Sequence, residues 1–214
     1  MSISKKNILI INGSIRGEDG NSWGLKNIAE KVLVEDLKAN CISLTLTNLL
    51  GTVKEVYDLL VSSDAFLIIT GVYWNNWSSC LQRFIEVATA FENSPAFFGK
   101  PVACAVSMDS VGGIEVAGRI HSVFSGLGCW SPPCSTLVIS RIGQEAVLAS
   151  RGMDDDPNKD VWRLDDIKIV LKNLVNATQF DKKSWISWPH VELKIPTEKW
   201  PESGSLNMNT PRFL

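Results

Sequence analysis

The sequence lacks the usual marks of metal, disulfide and phosphate-loop chemistry. Five cysteines (Cys41, Cys80, Cys104, Cys129 and Cys134) form an odd number without a C-x-x-C pair, and the two histidines, His121 and His190, lie far apart. That argues against a zinc site or a disulfide framework. The thiols, three of them inside apolar runs, read as reduced, structural small hydrophobes. No apolar run approaches the roughly 18–20 residues of a membrane helix. Residues 1–6 lead into the first apolar run without a signal-peptide core, so a cytoplasmic location is expected. A net charge of −2 leaves no basic footprint for nucleic acid. Internal repeats and low-complexity segments are also missing. What remains is 214 residues, 45% hydrophobic and 21% charged, enough for one ordinary folded domain with a short appendage.

Within that domain, strand-length apolar runs alternate with helical patterns. Strands are predicted at 7–12, 41–47, 65–70, 102–107 and 136–140. Helical spacing recurs through Leu25, Ile28, Ala29, Val32, Leu33 and Leu37, then Val53, Val56, Tyr57 and Leu60, then Leu81, Phe84, Ile85 and Ala88. A fourth helix carries Val116, Ala117, Ile120, Val123, Phe124 and Leu127. A fifth carries Ile167, Val170, Leu171, Leu174 and Val175, with a start capped by an aspartate of the acidic loop at 154–160. Such alternation means parallel βαβ units with right-handed crossovers. The count fits a flavodoxin-like α/β three-layer sandwich, a five-stranded sheet of order 2-1-3-4-5, with the ligand site at the carboxyl ends of the strands. A different doubly wound order is also compatible with periodicity alone. From 183 to 214 the texture becomes rich in Trp and Pro without periodicity. We therefore expect a domain over 1–182 and an extension over 183–214 that packs on its own domain or on a neighbouring subunit.

Three segments fall where strands 1, 3 and 4 end. The first, Gly13-Ser14-Ile15-Arg16 through Gly20-Asn21-Ser22, has neither the GK[ST] ending of a P-loop nor G-x-G-x-x-G spacing. Ser14, Arg16, Asn21 and Ser22 can donate to a phosphate monoester, with helix N–H groups adding more; the plain alternative is a turn with Asn21 or Ser22 as N-cap. Glu18 and Asp19 are expected to face solvent. The second segment, Thr70 to Ser79, sets Val72, Tyr73, Trp74, Asn75 and Asn76 between a buried strand and a helix. Its aromatics can cover a flat heteroaromatic ring, or simply plug the top of the sheet. The third, Ser107-Met108-Asp109-Ser110-Val111-Gly112-Gly113, offers backbone N–H groups at Gly112 and Gly113. Asp109 bonds the ring or, preferably, caps the fourth helix. His121 and His190 read as ordinary partly exposed residues.

These residues resemble the NAD(P)H-dependent FMN reductase family of the flavodoxin-like superfamily. The resemblance rests on Gly13-Ser14-Ile15-Arg16 with Asn21-Ser22, on Val72-Tyr73-Trp74, and on Ser78 with Leu81-Gln82-Arg83-Phe84-Ile85. Gly99-Lys100-Pro101-Val102 and Gly112-Gly113 complete it, and together they span about residues 7–180. It implies FMN with its phosphate in the first loop and its ring between the second and third, and assembly as a homodimer or homotetramer. Two departures stand out: the family commonly has proline where Gly71 stands, and Gly-Ser where Asn75-Asn76 stand. The first loop is also a few residues longer than in the shortest members.

The activity implied is hydride transfer from NADPH or NADH through FMN to a small acceptor, such as a quinone, a flavin, a nitro or azo compound, or a metal oxyanion. No catalytic side chain is strictly required, since flavin carries the chemistry and the protein supplies position and electrostatics. The alternatives are an FMN electron carrier, for which −2 is a weak steering charge, and a flavin-free binding protein on the same fold.

Overall fold

The apolar runs pair as an all-parallel sheet. A computed structural model describes residues 5–16, 20–49, 51–150, 165–181, 185–189 and 194–201. Its strands are β1 (Asn7–Asn12), β2 (Asn40–Thr45), β3 (Ala65–Gly71), β4 (Val102–Met108) and β5 (Thr136–Ser140), in the flavodoxin-like order β2-β1-β3-β4-β5. The helices are α1 (Asn21–Lys31), α2 (Val53–Ser62), α3 (Ser79–Ala88), α4 (Gly113–Leu127), α5 (Arg141–Ser150) and α6 (Asp166–Ala177). The expectations for Glu18, Asp19, His190 and the acidic loop at 154–160 fall outside the described residues.

Alternation along the strands feeds two cores. Leu9, Ile11, Phe66, Ile68, Cys104 and Val106 join apolar residues of α2, α3 and α4 on one face. Ile8, Ile10, Leu67, Ile69, Ala103 and Ala105 join α1 and α6 on the other. Because β3 and β4 have strands on both sides and helices on both faces, their sequences read as near-continuous apolar runs. The edge strand β2 stops at Thr45, short of the expected 47. Its ladder with β1 runs out at the Asn12–Thr45 pair, and the chain tightens into a 3₁₀ turn over Leu46–Asn48.

One helix, α5, is not expected from the sequence, and α6 starts without the expected side-chain cap. α5 follows β5 without a connecting turn, and the Ser140 hydroxyl accepts the Gly143 N–H at 3.1 Å in place of a loop cap. Its described side chains stay largely exposed, Ile142 and Val147 among them. α6 begins after Asp165, whose side chain makes no cap bond and instead pairs with Lys168 at 2.8 Å.

Part of the extension folds back on its own domain. Trp200 is only 6% exposed and stacks on Phe84 with ring centroids 5.9 Å apart. Its N–H donates to Gly51 O at 2.8 Å, and Val53 N–H donates to Glu198 O at 2.9 Å. Trp185, Ile186 and Trp188, by contrast, are exposed.

Candidate functional site

Where β1, β3 and β4 end, the connecting loops are tied to one another. Gly13 donates its N–H to Ile69 O at 2.8 Å. A Cβ at Gly13 would lie 2.8 Å from Leu81 Cβ, so only glycine lets the β1 loop lie against α3. Ser78 closes the same junction, its hydroxyl donating to Gly13 O while accepting the Leu81 N–H at 3.1 Å as the N-cap of α3. The β3 loop is fastened to β4 by Val72 N–H donating to Ser107 O at 2.9 Å. The Ser22 and Ser107 hydroxyls, both buried, stand 3.4 Å apart and tie the start of α1 to the end of β4.

Between these ties lies a cleft of about 320 Å³, lined by Ser14, Arg16, Gly20, Asn21, Ser22, Gly71, Val72, Tyr73, Ser107, Met108, Asp109 and Arg141. That is within the usual range for a small-molecule site, roughly 300–1,000 Å³. Its two ends differ in chemistry. At the β1 end, α1 starts at Gly20 with no side-chain cap and no acidic residue in its first turn, so its free N–H groups and partial positive charge remain available. Arg16 adds a full charge. Ser14, 2% exposed, is held by its N–H donating to Asn12 Oδ1 at 3.1 Å, and its hydroxyl accepts the Arg16 N–H at 3.3 Å. The buried Asn12 Nδ2 has no partner among the described residues, leaving a spare donor beside the loop.

The other end is lined by Gly71, Val72, Tyr73, Ser107, Met108, Asp109 and Arg141. Tyr73 folds back over Gly71, where a Cβ would come within 3.3 Å of the ring, so the glycine lets the ring lie close. Asp109 does not cap α4 as expected. The N-cap position belongs to Gly112, and Asp109 instead accepts from Arg141 Nε at 2.5 Å. This bond holds the Asp109 carboxyl below the usual carboxylate range and raises Arg141 in turn. Arg141 also reaches Glu145 at 2.6 Å.

The family comparison meets this geometry at the loops just described. The family model for NADPH-dependent FMN reductase matches residues 6–144, from the start of the sheet into α5. The chain belongs to this family. No curated protein sequence matches it significantly. Among solved structures, RosB with bound 8-demethyl-8-formylriboflavin-5′-phosphate is similar over 96% of this chain and 100% of that one, at 12% identity and TM-score 0.66. The apo form of the NADH:FMN oxidoreductase EMOB is similar over 86% and 92%, at 15% identity and TM-score 0.54. A flavodoxin from the domain Archaea is similar over 81% and 99%, at 12% identity and TM-score 0.55. At such identities these likenesses show the shared fold.

Seen as an FMN reductase family member, the chain brings Ser14, Arg16, Asn21, Ser22, Val72, Tyr73 and Asp109 together on one cleft. Trp74, Asn75, Asn76, Gly112 and Gly113 do not line it. Gly112, at φ +91°, packs against Asn75, and the Gly113 N–H is directed at Met108 Sδ, 3.1 Å away, so this turn joins two loops. Arg141 escaped sequence reasoning, its only local signal being its place directly after the last strand. His121 lies toward the other end of β5, its ring half-buried between Ser131 Oγ at 2.6 Å and Thr136 Oγ1 at 2.7 Å. Burial lowers its pKa, and burial pushes the neighbouring Cys104 thiol up to about 12. Among the described residues, no helix is long and apolar enough to cross a membrane.

Proposed function

We propose that this chain binds FMN in the cleft and works as an NAD(P)H oxidoreductase on small acceptors. The observation that carries the reading is the cleft's asymmetry: an uncapped helix N-terminus beside Arg16 at one end, Tyr73 with the ends of β3 and β4 at the other. The first suits a phosphate dianion and the second a flat ring with polar edges. Ser14, Arg16, Asn21, Ser22 and the first N–H groups of α1 hold the phosphate. Gly71, Val72 and Tyr73 flank the ring, while Arg141 offsets the Asp109 charge there. When bound, FMN supplies two-electron redox chemistry. The net reaction takes hydride from NADPH or NADH and one proton from solvent, and it yields the oxidised nicotinamide and an acceptor reduced by two electrons and two protons. The open cleft suits quinones, flavins, and nitro or azo compounds. We further propose a homodimer or homotetramer in the cytoplasm, on the family resemblance and the exposed Trp185, Ile186 and Trp188.

The test is anaerobic. The FMN-loaded protein should bleach within seconds of adding NADPH or NADH and regain its colour with a quinone. Colour that persists with both nicotinamides would instead favour an electron carrier.

A further inference from the structure

Residues 73–76 form a tight turn whose composition opposes its geometry. Tyr73 and Asn76 exchange N–H···O bonds of 2.7 and 3.0 Å, and the two residues between them are left-handed, Trp74 at φ +50° and Asn75 at φ +59°. Turns of this hand favour Asn and Gly, and a bulky aromatic there is an outlier. The turn is nevertheless fixed from several sides. Arg119 donates to Asn75 O and lies over the Trp77 ring, 5.1 Å from its centroid. Trp77 Nε1 donates to Gln82 Oε1 at 2.8 Å, and Gly112 seats its backbone against Asn75.

The strain serves no packing purpose, because Trp74 is fully exposed at 102%. Its neighbour Tyr73 lines the cleft, and Val111 and Ile114, on either side of the Gly112-Gly113 pair whose first member touches Asn75, are 68% and 67% exposed. A solvent-facing indole carried on a fixed, strained turn beside a cleft is a feature expected of recognition. Trp74, Val111 and Ile114 are exposed and uncharged, and Arg119 is already engaged by Asn75 O and Trp77. A flat, neutral aromatic molecule matches an exposed indole, whereas a hydrated anion does not.

We propose that Trp74 is a specificity-determining residue that stacks on planar aromatic electron acceptors at the cleft mouth, favouring them over non-stacking ones. This rests on the oxidoreductase reading above. The test compares Trp74→Asn and Trp74→Phe with the native FMN-loaded protein, using a naphthoquinone and ferricyanide as acceptors. In Trp74→Asn, the KM for naphthoquinone relative to that for ferricyanide should rise about tenfold, the size of one aromatic stacking contact. Trp74→Phe should stay within about threefold of native. Because Asn suits the turn, Trp74→Asn should melt at or above the native temperature, which separates recognition from damage. An unchanged KM ratio would overturn the proposal. So would loss of FMN from Trp74→Asn, which would make the indole a cofactor contact, or a smaller oligomer, which would make it a subunit contact. A native chain that binds no FMN would overturn the oxidoreductase reading and this proposal together. Normal FMN binding with an unchanged ratio would overturn only this one.

Discussion

Gly112→Ala should destabilise the protein although it adds a single methyl group at a half-buried turn. The backbone there sits at φ +91°, a conformation that costs an L-residue about 1–2 kcal/mol. The new Cβ would also collide with Asn75 Oδ1 and stand 3.2 Å from Asn75 Cα. The amide can rotate away, but the backbone contact forces the 73–76 turn to move by a few tenths of an ångström. Together these costs come to about 2–3 kcal/mol. For a chain of this size that corresponds to a melting temperature lower by about 4–12 °C. Gly118→Ala, on the same helix, is the control. Nothing lies within 4 Å of its Cβ position and its φ is helical. There the methyl should stabilise by about 0.5–1 kcal/mol and raise the melting temperature by about 1–4 °C. Differential scanning calorimetry of both variants decides the matter. Shifts of the same sign, or a neutral Gly112→Ala, would refute the contact between the β4 turn and the β3 loop.

Three further expectations concern other parts of the molecule. Trp200→Ala removes a buried indole stacked on Phe84 and should cost about 3–5 kcal/mol, read from chemical denaturation; a loss under 1 kcal/mol would make the extension a passenger. Ser14 and Arg16 changed together to alanine should weaken FMN binding by about 3–6 kcal/mol, from two charge-assisted hydrogen bonds, with the circular dichroism spectrum unchanged. His121 has its pKa lowered by burial from 6.5, so the unfolded chain takes up its proton first as pH falls. Its contribution is therefore fully present above pH 6.5 and is lost as pH drops from there through the folded value. A His121→Gln variant should show a shallower fall in melting temperature below pH 6.5 than the native protein, and parallel curves would contradict the assignment.

The sheet was legible because its central strands are buried on both faces, and burial on both faces leaves continuous apolar runs such as Phe66–Ile69. Topology then did the rest for the site, since a parallel order with strands 1 and 3 adjacent brings Ser14 and Tyr73 to one edge whatever their separation in sequence. What could not be read depended on contacts without local pattern. α5 hid because it follows β5 with no turn residue between them to mark its start, and with it hid Arg141. Asp109 looks like a helix cap until the Arg141 guanidinium is placed beside it. The glycine pair reads as a ligand-facing turn or a plain helix entry, and only the approach of Asn75 shows that it joins two loops. Trp200 could not be assigned to its own core without knowing that residues 198–200 reach the start of α2.

The central claim is that the loop after β1 and the start of α1 hold a phosphate. Titrating the apo chain with FMN and with riboflavin, which differ only in that group, tests it most directly. FMN should bind one per chain and at least about a hundredfold more tightly than riboflavin. Equal affinities for the two, or no binding of either, would contradict it.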